Sequence, residues 1–197
     1  MPVDPVETFI CAFTALRGHI HRAATWRDAA GILVEVCAQN GVDRLATAQL
    51  PPELLDALRD AAGSGKLDVL SPPYDAADLP GAIDRAGVGA TGIEFAIAET
   101  ATLVEVSRND ATRLVSSLPR THVGVVSARQ FVEGLFDAAP RMRQIMSAHP
   151  RECVISFLSG PSRTGDIELR LTLGVHGPEN AHVLILDEKL DFGAAYG

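Results

Sequence analysis

The chain has 197 residues, enough for one well-buried core and too few for two comfortable α/β domains. A formal charge of −8, with 47% hydrophobic and 21% charged residues, fits a globular protein and lacks the basic stripe that nucleic acid needs. Cys11, Cys37 and Cys153 show no C-x-x-C spacing, which argues against an iron–sulfur or structural zinc site and fits free thiols in a reducing compartment.

The N-terminus has no basic segment followed by an apolar one, and no apolar run is long enough to span a bilayer, so a cytoplasmic protein is expected. Asp4-Pro5-Val6-Glu7 starts a helix, along which Val6, Phe9, Ile10, Phe13 and Leu16 recur at helical spacing. His19 and His21 are placed near the end of that helix, where i, i+2 positions diverge, so they are not expected to share a metal. Thr25 caps a second helix that ends near Gly41. Residues 1–40 thus form a helical N-terminal region of a single domain covering residues 1–197.

From Gly41 the texture alternates between strand and helix. Residues 42–47 read as a strand. Pro51-Pro52-Glu53 opens a helix, residues 67–70 are a second strand, and residues 77–86 a short helix. Gly63-Ser64-Gly65-Lys66 follows a helix and precedes a strand, the reverse of a phosphate-binding loop. Residues 93–99 read as a short helix and 102–106 as a strand. After a turn at 107–110, residues 113–117 return as a strand that should pair antiparallel with 102–106, and another strand follows at 121–126. Ser127 caps a helix through Phe131, Leu135 and Phe136, which Pro140 breaks and restarts. The order predicts a three-layer α/β/α domain with a mostly parallel, mixed sheet.

Most of the chemistry is concentrated near the end. Residues 153–158 read as a buried strand, and Ser159-Gly160-Pro161-Ser162-Arg163-Thr164-Gly165-Asp166 opens from it into an amphipathic segment over 166–173. Backbone N–H groups at such a helix start, with Arg163 beside them, would suit an anion; alternatively Thr164 or Asp166 merely caps the helix. Gly174-Val175-His176-Gly177-Pro178 follows, and then a strand through residues 183–186. The glycine spacing fits neither a dinucleotide fingerprint nor a nucleophile elbow around Ser162.

The run SGPSRTGDIEL with GVHGP resembles the C-terminal signature of the LUD-domain family, of the LutC/YkgG (lactate utilisation protein C) type. A second block, Thr91-Gly92-Ile93-Glu94-Phe95-Ala96-Ile97-Ala98-Glu99-Thr100-Ala101-Thr102, with Leu118-Pro119-Arg120-Thr121-His122 after it, matches the same family. The family usually carries Gly where Ala101 stands and Ala where Gly165 stands. The resemblance implies a NagB/RpiA/CoA-transferase-like fold. It also implies an accessory role in bacterial L-lactate oxidation to pyruvate, beside iron–sulfur subunits that carry the electrons. No cofactor or metal is expected on this chain.

Ligands of such sheets lie beyond the carboxyl ends of the strands, and both motif blocks are expected to reach that edge and converge. Thr100, Thr102, Gly160, Ser162, Arg163, Thr164, Asp166, Glu168 and His176 are the candidates for holding a small anionic metabolite. Glu99, Asp166 and His176 are the candidates for acid–base or nucleophilic chemistry. His122 is a weaker ligand candidate, and His149 and His182 read as surface residues. A stand-alone enzyme of the sugar-phosphate isomerase or CoA-transferase kind, and a non-catalytic binding protein, are the alternative readings.

Overall fold

The computed structural model describes residues 4–63, 67–149, 153–164, 172–173 and 176–190. Helix α1 (Pro5–Ala15) starts where Asp4 accepts a hydrogen bond from the Val6 N–H. It buries Val6, Phe9 and Phe13, the two rings stacked 5.3 Å apart. The expected helical run stops there. His19–Ala23 is a strand, β1, because its backbone pairs with residues near the other end of the chain.

Thr25 caps α2 (Trp26–Gln39) by accepting the Asp28 N–H, as its position predicts. Strand β2 (Arg44–Ala48), helix α3 (Pro52–Ala62), strand β3 (Asp68–Leu70), helix α4 (Leu79–Asp84) and strand β4 (Val88–Gly92) follow. Residues 93–99 are not a helix. They form strand β5 (Phe95–Ile97) and a turn, leading into β6 (Thr102–Ser107). Residues 113–117 are not a returning strand but part of α5 (Asp110–Ser117), whose N-terminus Asn109 caps at the Thr112 N–H. The asparagine cap, with Thr112, Val115 and Ser116 buried at helical spacing, makes this stretch a helix.

After β7 (Thr121–Ser127), Ser127 caps only a single 3-10 turn, and Phe131–Val132 is a short strand, β8. Helix α6 (Leu135–Ala148) then runs through Pro140 without a break. Pro140 leaves the carbonyl of Phe136, four residues back, without its helical N–H, and Phe136 is exposed to solvent. The chain continues as β9 (Val154–Leu158), β10 (Arg163–Thr164), β11 (Thr172–Leu173) and β12 (Asn180–Leu186).

Two sheets result. The larger has six strands in the order β1-β12-β7-β4-β2-β3, and every pairing in it is parallel. The antiparallel pair expected of residues 102–106 and 113–117 does not form, because the latter are helical; the antiparallel pairings β5–β6 and β6–β9 lie in a separate four-stranded sheet, β8-β5-β6-β9. One face of the large sheet packs α2 and α3 through Leu33, Leu54, Leu58, Val123 and Leu184. The other face carries α1 and the small sheet, through Phe9, Phe13, Ile93, Leu103 and Val183, with α4 and α5 beside them. The strands β7 and β12 are buried along nearly their whole length, as parallel strands covered on both faces must be. Strand β9, expected to be buried, is an edge strand with Val154 and Phe157 exposed.

Candidate functional site

The two sequence blocks do meet. Pairing of β6 with β9 sets Leu103 opposite Leu158. Just beyond that pair, the Thr102 hydroxyl lies 2.7 Å from the Ser159 hydroxyl and 2.8 Å from that of Thr100. Ala101, between the threonines, has a φ of +50° and is buried. A left-handed conformation costs an alanine about 1 kcal/mol and a glycine almost nothing, which is the physical reason for a glycine in the family pattern at this turn. Glu99 and Thr100 are exposed on the same turn, and the Glu99 carboxylate packs against Gly134, the N-cap of α6.

The second bend lies at the amino, not the carboxyl, side of the large sheet. Gly160 packs against Leu16, just ahead of β1, and its φ of +81° lets the chain turn there. The Ser162 N–H donates to the Pro178 carbonyl at 2.9 Å, just ahead of β12. Ser162 and Gly177 are in contact, and His176 beside them is exposed. Arg163 is not at a helix start: it pairs in β10 with Leu173 of β11 and donates to the Leu16 carbonyl at the end of α1. Thr164 is placed by backbone pairing with Thr172. Asp166 and Glu168 lie outside the described residues. The expected meeting of both blocks at the carboxyl edge therefore does not occur: Gly92 and Glu94 lie at that edge, whereas hairpin pairing and the end of α1 hold the Arg163 bend on the other side.

Arg163 thus completes the exposed end of α1 with a cation where the helix dipole is negative. Replacing Arg163 with Ala is expected to cost about 1 kcal/mol of stability by urea denaturation. An unchanged midpoint would show that the guanidinium holds nothing in place.

A buried polar line crosses between the sheets. His122 on β7 is buried, with Nε2 2.8 Å from the Thr91 hydroxyl on β4. Glu105 on β6 is fully buried and accepts from the Ser116 hydroxyl at 3.0 Å and that of Ser107 at 3.2 Å. Burial pushes the Glu105 carboxyl upward, only partly offset by the hydroxyls of Thr91, Ser116 and Ser107, and the same desolvation lowers His122 to about 4.

On the opposite sheet face, His19 and His21 of β1 gather on His182 of β12. The His19 and His182 rings stack 4.5 Å apart, and His21 Nε2 lies 2.9 Å from His182 Nδ1. His182, read from sequence as a surface residue, is buried, and burial with the neighbouring imidazoles lowers it to about 3. This cluster was invisible as long as residues 19–23 were read as helix. In a strand, i and i+2 point the same way, so the H-x-H spacing was the available signal.

The carboxyl edge holds an open cleft. It has a volume of about 640 Å³, lies beyond β1, β12 and β7 and is lined by Arg22, Arg129, Asp187, Glu188 and Lys189. No described helix is long and apolar enough to cross a membrane.

A family model for the LUD domain matches residues 6–186, from the start of α1 to the last residue of β12. The chain belongs to the LUD domain family. Among similar LUD proteins, lactate utilization protein C of Shouchella clausii is 34% identical over 119 residues, covering 59% of this chain and 52% of that protein. The protein of the same name from Geobacillus sp. is 31% identical over 150 residues, 76% of this chain and 58% of its own. That of Bacillus subtilis is 35% identical over 107 residues, 54% and 45% respectively. The chain spans about half the length of these relatives. A crystal structure of a DUF162 family protein from Deinococcus radiodurans shares the fold, with a TM-score of 0.65 at 21% identity, over 94% of this chain and 99% of that one.

Proposed function

We propose that this LUD protein is an accessory subunit of a bacterial system that oxidises L-lactate to pyruvate in the cytoplasm. It acts there beside iron–sulfur proteins and binds a small anionic metabolite. The observation that carries the reading is the 31–35% identity to several proteins named lactate utilization protein C. Cys11 on α1, Cys37 on α2 and Cys153 ahead of β9 sit in separate elements, so in this reading the electron-carrying clusters belong to the partners. The exposed Glu99, Thr100 and His176, with the half-buried Ser162, are offered to a ligand or to those partners.

The test is genetic and biochemical. A strain lacking the gene should fail to grow on L-lactate while growing normally on pyruvate, and the tagged chain should recover cysteine-rich iron–sulfur proteins. Normal growth on lactate, with no such protein recovered, would overturn the reading.

A further inference from the structure

The large sheet changes direction between β2 and β4: the chain leaves β2 toward β3 on one side, and leaves β4 toward β7 on the other. Connections that diverge in this way open a crevice beyond the carboxyl ends of the two strands, where ligands of open α/β sheets sit. In this protein Glu94 lies two residues past the end of β4. Gln49, just past β2, donates from its side chain to the Val106 carbonyl at 2.9 Å, which ties the exit of β2 to the end of β6 and to Arg108. The C-terminal half of α6 closes the far side. An open cleft of about 300 Å³ lies between α6 and the small sheet, lined by Glu94, Phe95, Arg108, Arg141, Ile145 and His149.

Its charges are unmet. The ion pairs among the described residues include neither Arg108 nor Arg141. Arg108 is half-buried, and its Nε is buried with no hydrogen-bond partner among the described residues. With Nε closed off, the terminal guanidinium nitrogens of Arg108 are the donors that an acceptor in the cleft can reach. Arg141 is steadied over the Phe95 ring, 5.7 Å from its centroid. Counting Arg, Lys, Asp and Glu alone, two guanidinium groups against the Glu94 carboxylate leave one formal positive charge, and the His149 imidazole lines the cleft as well. That balance suits a monoanion better than a phosphate dianion, and Phe95 and Ile145 supply apolar wall for a short carbon chain.

We propose that this cleft binds a small monoanionic carboxylate, gripped by Arg108 and Arg141 between α6 and the small sheet. The site is separate from the Arg163 bend, and it stands whether or not the chain serves lactate oxidation. The test titrates the purified chain with L-lactate, pyruvate and inorganic phosphate, following the Phe95 and Ile145 resonances by NMR and the affinity by calorimetry. A carboxylate should saturate and shift those resonances, and phosphate should bind more weakly. Arg141→Gln, on the exposed side of the cleft, and Arg108→Gln should each weaken carboxylate binding about tenfold or more, whereas Arg163→Gln should leave it within about twofold. Absence of saturable carboxylate binding, a preference for phosphate, or loss in Arg163→Gln with retention in Arg141→Gln each overturns the assignment. The growth phenotype on lactate is read separately, so failure of one reading does not decide the other.

Discussion

Acidification from pH 7 to about pH 4.5 is expected to remove about 4 to 5 kcal/mol of folding stability, comparable with the whole stability of a small domain. The cause is His122 and His182, lowered by burial from 6.5 to about 4 and about 3. Well above pH 6.5 both are neutral whether folded or unfolded, and this contribution to stability is complete. Below it the unfolded chain takes up protons that the folded chain refuses, so stability falls with pH until the folded-state values are reached. His21, lowered by burial and by His19, adds in the same direction. Glu105 acts oppositely: its carboxyl is raised, so its contribution is greatest when protonated and returns part of the loss at low pH. Urea denaturation at pH 7, 6 and 5 should show the decline. His182→Asn should reduce its slope by up to about 1.4 kcal/mol per pH unit, one proton's worth. A flat profile between pH 7 and 5 would show that neither imidazole is held neutral by the fold.

Gly89→Ala should destabilise the protein by about 3 kcal/mol or more. A Cβ at Gly89 would stand 2.1 Å from the Val115 carbonyl oxygen and 3.0 Å from Pro119 Cγ. The nearer obstacle is backbone, so α5 would have to lift from β4 and expose the buried Val115 and Ile83 around it. Gly31→Ala is the natural contrast. Gly31 lies within α2 with nothing within 4 Å of an added Cβ, and the change should stabilise by about 0.5 to 1 kcal/mol. Denaturation midpoints moving in opposite directions for the two alanines would bear out the close approach. Equal, small shifts would mean that α5 is not seated as tightly as the contact requires.

Local signals were legible wherever the cause was local. The caps at Asp4 and Thr25, the proline at the start of α3, and the apolar runs of β7 and β12 all appear where their residue types demand. The family blocks, too, were readable as text, and they do adjoin through Thr102 and Ser159. The failures share another origin. Residues 19–23 are a strand because β12 offers them a free edge, and His21 and His182 are 161 residues apart in sequence. Residues 95–97 are a strand because β6 and β8 flank them, and Arg163 lies in a hairpin because Leu173 is opposite.

The sequence by itself determined the family, the α/β class, most helix starts and the strands whose composition is β-rich. Only the tertiary structure decided which strands are neighbours, and therefore that the six-stranded sheet is wholly parallel, that three histidines share a face, and that the arginine-bearing bend lies at the amino edge. A strand's partner is chosen by backbone hydrogen bonds and burial summed over the whole sheet, and those terms are carried by residues too distant along the chain for any local pattern to record.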